Sequence, residues 1–143
     1  MKLLIASDIH GSAYWCEKLM ALAESDQPDK LVLLGDLLYH GPRNDLPRDY
    51  APKKVIPMLS AWKEKIIAVR GNCEAEVDQM VLTFPVLADY CLVELDGHLV
   101  FATASGGRQV PVPDPWSSCQ PGESSPAAGG VYFPVRPHPC ENR

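Results

Sequence analysis

Apolar residues in the first half of the chain fall into short unbroken runs. Residues 2–7, 31–34 and 65–69 carry Leu3-Leu4-Ile5-Ala6, Leu31-Val32-Leu33-Leu34 and Ile66-Ile67-Ala68-Val69, each ending in polar or turn residues. Runs of this length without alternation predict strands buried on both faces. Residues 12–25 have another period. Trp15, Cys16, Leu19, Met20, Leu22 and Ala23 recur at helical spacing, which predicts a helix with one apolar face and Ser12 as its N-cap. Asp26, Gln27, Pro28 and Asp29 stop it. Strand, helix and strand in this order predict a parallel pair with a right-handed crossover.

The pattern continues with a long loop over 41–52. A helix over 53–63 presents Val55, Ile56, Leu59 and Trp62, with Pro57 interrupting it. A short helix over about 75–82 follows the third strand. Residues 88–95 and 98–103 are apolar runs around Asp96-Gly97, a strong hairpin signal. At Ala104 the pattern ends. Residues 104–143 hold eight of the 14 prolines and five of the 10 glycines, and no Leu, Ile, Met or Lys. Only Val131-Tyr132-Phe133 reads as a strand fragment. The expected organisation is therefore one α/β unit over 1–103 and a Pro/Gly-rich, poorly ordered tail over 104–143.

Composition narrows the function classes. At 143 residues, 46% hydrophobic and 22% charged, the chain has the balance of a single globular domain. A net charge of −5 disfavours strong nucleic-acid binding or a membrane surface. No apolar run reaches the ~18 residues of a membrane span, and the first run is too short for a signal peptide, so a cytoplasmic location is expected. Five cysteines without regular spacing suit neither a disulfide framework nor a CxxC zinc site.

Candidate chemistry sits where the buried strands end. Asp8 and His10 follow the first, Asp36 the second and Asn72 the third. In a parallel sheet those ends share one edge, where ligands bind. In an extended segment, Asp8 and His10 would point the same way. Their oxygen and nitrogen atoms suit Mn²⁺, Fe²⁺, Ni²⁺ or Zn²⁺. Asp36 could bridge two ions about 3.5–4 Å apart, as in two-metal phosphatases. A nucleotide-binding module is disfavoured, because the loop after the first strand lacks a glycine-rich phosphate cradle.

The motifs Asp8-Ile9-His10, Gly35-Asp36 and Gly71-Asn72-Cys73-Glu74 resemble the calcineurin-like metallophosphoesterase family. The segments 6–11, 40–44, 69–73 and 76–80 resemble its YfcE-like branch of bacterial phosphodiesterases. The resemblance covers residues 1 to about 103. It implies a four-layer α/β/β/α sandwich, here incomplete at the C-terminus, and hydrolysis of a small phosphodiester substrate at two divalent metal ions. Mn²⁺ is the first choice, with Fe, Ni, Co or Zn as alternatives. By position, Asp8 and His10 hold one ion, Asp36 bridges, and Asn72 helps hold the other. His40 would protonate a leaving group or contact phosphate, and Arg43 and Asn44 would bind substrate. Cys73 stands where many relatives carry histidine. It reads as a packed or metal-adjacent thiol rather than a nucleophile, because no base partner is evident.

After Thr103 the sequence departs from the family. The expected His-Gly-His and Gly-His-Thr-His motifs are missing, and the histidines are His10, His40, His98 and His138. The sudden change in composition at Ala104 reads as a frameshift or truncation. Two functions stay open: an impaired metal-dependent phosphodiesterase, or a non-catalytic metal-binding remnant or interaction protein. Losing strands of the second sheet would uncover apolar surface on the first and favour self-association.

Overall fold

The computed structural model describes residues 1–104 and 130–132. The expectations for the rest of the 104–143 tail lie outside the described residues. Three strands, β1 (Leu3–Ala6), β2 (Lys30–Leu33) and β3 (Ile66–Ala68), form a parallel sheet in the order β1-β2-β3. Helix α1 (Ala13–Asp26) joins the first two strands, and α2 (Pro52–Ser60) precedes the third. The short α3 (Glu76–Val81) leads to a second, antiparallel sheet. There β4 (Cys91–Leu95) pairs with β5 (His98–Thr103), and β5 pairs with β6 (Gly130–Tyr132). Asp96 and Gly97 both take positive φ, 49° and 79°, which is the tight hairpin geometry the Asp-Gly pair predicts.

The unbroken apolar runs are explained by burial on both faces. Leu31, Leu33, Ile66 and Ala68 pack with Cys16 and Met20 of α1 and Val55 and Leu59 of α2. Alternate positions Val32, Leu34 and Val69 pack instead with Ala102 of β5, and half-buried Cys91 and Ile5 join them. The described residues thus supply an α/β/β stack, three of the four expected layers. Val32, Leu34 and Val69 are 1%, 5% and 0% exposed, so the uncovered face expected on the first sheet is covered at its centre.

Two helical expectations need correction. Trp15 and Leu22 lie off the buried face of α1, 58% and 47% exposed, while Ala13, Cys16, Met20 and Ala23 are buried. Each exposed residue is one position, about 100° of rotation, from a buried one, which puts it beyond the edge of the contact stripe. Helix α2 runs through Pro57, which sits inside it on the exposed side, and begins with Pro52 in its first turn, where a missing N–H costs nothing. Ser12 caps α1 as expected, its hydroxyl accepting the Trp15 N–H at 3.3 Å.

Candidate metal centre

The three loops that follow β1, β2 and β3 meet at one edge of the parallel sheet. Hydrogen bonds lace the first two together beyond the strands. Asp8 N–H donates to the Gly35 carbonyl (3.2 Å), His10 N–H to Asp36 (2.8 Å) and Gly11 N–H to Leu37 (2.8 Å). The Asp8–His10 segment is not extended, in contrast to the sequence expectation. Both residues take left-handed backbone conformations, φ 57° and 48°, with buried Ile9 between them. Asp36 does the same at φ 56°. Such conformations are uncommon outside glycine, with Asp and His among the more tolerant residues, and they cluster at functional sites.

These bends bring the side chains together. His10 Nε2 lies 3.4 Å from Asp8 Oδ1 and 3.7 Å from Asp36 Oδ2. His10 Nδ1 donates to the Tyr39 carbonyl at 2.7 Å, which leaves Nε2 facing the carboxylates. Asp36, 6% exposed, accepts the Cys73 N–H on Oδ1 at 2.9 Å. Ligand atoms of His10, Asp36 and Cys73 lie within 4.8 Å of one another. Asn72 is exposed beside this group, its amide donating to Cys73 Sγ at 3.2 Å. Among the described residues, no Lys or Arg forms an ion pair with Asp8 or Asp36. Two carboxylates, an imidazole nitrogen free of other duty and a sulfur atom form a donor set that fits a divalent transition metal.

The remaining candidates lie on the loop after β2. His40 packs edge-on between the rings of Tyr39 and Tyr50, at centroid distances of 4.9 and 5.3 Å. Its Nδ1 is buried and makes no hydrogen bond among the described residues. Asn44 donates its amide to the His40 carbonyl at 3.0 Å and so holds the loop, while Arg43 is exposed. Cys73 lies across from this loop, its Sγ 3.5 Å from where a Cβ on Gly41 would be. Burial first, and then the charges of Asp36 and Glu74, push the Cys73 thiol up to about 11. A thiol held protonated is a poor nucleophile, in line with the sequence reading.

A model of the calcineurin-like phosphoesterase family matches residues 1–127. The chain belongs to the calcineurin-like phosphoesterase family. It is 50% identical over 103 residues to the phosphodiesterase YfcE of Escherichia coli K12 and, equally, to that of strain O157:H7. The alignment takes in 72% of this chain and 56% of the length of those relatives. A solved structure described as YfcE, a phosphoesterase from E. coli, superposes with a TM-score of 0.70, covering 72% of this chain and 57% of that one.

Sequence reasoning overlooked two contributors. The Tyr39 carbonyl orients His10 through a main-chain contact that carries no residue signature. Glu74 is fully engaged underneath the cluster. Its place in the Gly71-Asn72-Cys73-Glu74 motif was the one available signal.

Proposed function

We propose that this chain carries the metal-binding half of a metal-dependent phosphodiesterase. The observation that carries the reading is the meeting of His10, Asp36 and Asp8 within ion-pair distance at the strand ends. The family membership supports it. Asp8 and His10 would hold one divalent ion, Asp36 would bridge, and Asn72 would help hold a second, with Mn²⁺ as the ion of choice. The chemistry such ions supply when bound is polarisation of a phosphoryl oxygen and acidification of a water. The chain's own residues orient the site. Tyr39 fixes the His10 tautomer, and the Cys73 N–H fixes one oxygen of Asp36. His40, Arg43 and Asn44 would face the substrate, a small phosphodiester, from the loop after β2. No helix among the described residues is long and apolar enough to cross a membrane, and a cytoplasmic location belongs to the same proposal.

The sequence lacks the two histidine motifs that complete coordination in the family, so this chain should bind Mn²⁺ weakly and turn over poorly. A second reading, a non-catalytic metal-binding remnant, is favoured by the same absence. Hydrolysis of a chromogenic phosphodiester with added Mn²⁺ separates them. The chain as it stands is compared with one in which residues 104–143 are replaced by a family segment carrying His-Gly-His and Gly-His-Thr-His. Activity restored by the segment supports the phosphodiesterase reading. Equal activity with and without it shows that those histidines are not needed. A replaced chain that binds Mn²⁺ but stays inactive supports the remnant.

A further inference from the structure

We propose that Glu74 is a positioning residue: its buried carboxylate clasps the loop after β2 to the loop after β3 and holds Asp36 in the conformation that aims it at His10 and Cys73. The consequence for metal binding rests on the reading above, whereas the clasp itself does not.

Glu74 is 4% exposed. Its Oε1 accepts the Leu37 N–H and its Oε2 the Gly71 N–H, both at 2.7 Å. Among the described residues no cation pairs with this carboxylate. A buried carboxylate without a counter-ion is tolerated only where such donors compensate its charge. Two converging amides, one on each oxygen, do so here, and they belong to the two loops that carry Asp36 and Asn72. Asp78, two residues into α3, offers a contrast. Its carboxylate accepts the Ala75 N–H at 2.7 Å and merely caps its own helix. The Glu74 bond to Leu37 spans 37 residues of sequence.

The two loops approach so closely that neither has room for a side chain at its glycine. A Cβ on Gly35, which has φ +82°, would collide with the Gly71 backbone, and one on Gly71 would collide with Asp36 Oδ1 and lie 2.8 Å from Glu74 Oε2. A non-glycine residue at φ 56° carries a backbone cost that its surroundings must offset. For Asp36 the Glu74 carboxylate does so by binding the amide of the next residue, Leu37.

Glu74→Gln tests the clasp, because it replaces one acceptor oxygen with an NH₂ that must face an amide N–H. Mn²⁺ titration of the full chain should show affinity lowered about 10–100-fold, the range for losing a partner that orients metal ligands. Glu76→Gln, an exposed change on α3, should leave affinity unaltered. In the metal-free protein, NMR should show the Asp36 Cα and Cβ shifts leaving their left-handed values, with the Leu37 and Gly71 amides exchanging faster. Unchanged Asp36 shifts with both amides still protected overturn the proposal, whereas altered Asp36 geometry with unchanged Mn²⁺ affinity supports the clasp and overturns its consequence for metal binding. If the wild-type chain binds no Mn²⁺, the metal reading fails and the NMR comparison alone decides the clasp. If Glu74→Gln does not fold, the wild-type amides decide: slow exchange at Leu37 and Gly71 supports the clasp and fast exchange overturns it.

Discussion

Asp36 and Asp96 share a backbone conformation and differ in almost everything else. Each takes a positive φ, 56° and 49°, beside a glycine that does the same. Asp96 turns the β4–β5 hairpin at the surface. Its carboxylate is 74% exposed and reaches the N-terminal ammonium at 3.2 Å, a pairing that water and salt leave weak. Asp36 turns at the end of a parallel strand, where two other loops close over it. Its carboxylate is nearly buried, bonded to the Cys73 N–H and faced by His10. The same local turn chemistry yields a hairpin in one place and a ligand cluster in the other. What differs is whether neighbouring strands end alongside.

The largest effect expected from this comparison is on activity. Asp36→Ala, in the chain carrying the family histidine segment, should abolish Mn²⁺-dependent hydrolysis. The loss should exceed the roughly 10–100-fold that removal of an outer partner costs. Asp96→Ala should leave hydrolysis unchanged and lower stability by about 1–2 kcal/mol, the cost of a left-handed alanine. Equal activity losses from the two substitutions would erase the distinction.

Next in size is the packing difference between the two sheets. Leu33 is fully buried, whereas Leu92 on the hairpin is 45% exposed. Leu33→Ala should cost about 2–5 kcal/mol in denaturant unfolding. Leu92→Ala should stay within about 0.5 kcal/mol, as surface substitutions do. A large cost at Leu92 would show that the outer face of the hairpin is packed against something further.

The two turn glycines give a finer separation. Among the described residues a Cβ on Gly97 meets nothing within 4 Å, yet its φ is +79°. Gly71 has the opposite problem: a crowded site with no positive φ. Gly97→Ala should therefore cost stability alone, about 1–2 kcal/mol, and Gly97→Asn should recover part of it. Gly71→Ala should cost about 1–3 kcal/mol through overpacking and should also weaken Mn²⁺ binding. A Gly97→Asn variant no better than Gly97→Ala would mean that backbone strain is not the cause.

The last effect, confined to alkaline pH, concerns a thiol away from the site. Burial raises the Cys16 thiol from 9.0 to about 11, with Glu17 adding to it. Between those values the unfolded chain loses its thiol proton while the folded chain keeps it. Stability should therefore fall as pH rises through this window, by about 2 kcal/mol at its end, and be unaffected by this group below pH 9. Cys16→Ala should remove that slope in melts taken from pH 8 to pH 11. An unchanged slope would assign it to other groups.

Much of this fold was legible before any coordinates. The unbroken runs predicted β1, β2 and β3, the helical period and Ser12 predicted α1, and Asp96-Gly97 predicted the hairpin. These signals are local: a period, a cap and a turn residue each act within a few positions of the chain. The placement of Asp8, His10, Asp36 and Asn72 after successive strands was legible for the same reason, because parallel strands put their ends on one edge. The tertiary structure alone decided the rest. Trp15 could not be assigned to solvent by its period, because the width of the contact stripe depends on what packs against it. The left-handed turns at Asp8, His10 and Asp36 and the Glu74 clasp depend on amides donated by loops distant in sequence. A buried carboxylate is stable only where such donors converge, and convergence is a property of the assembled sheet rather than of any stretch of the chain.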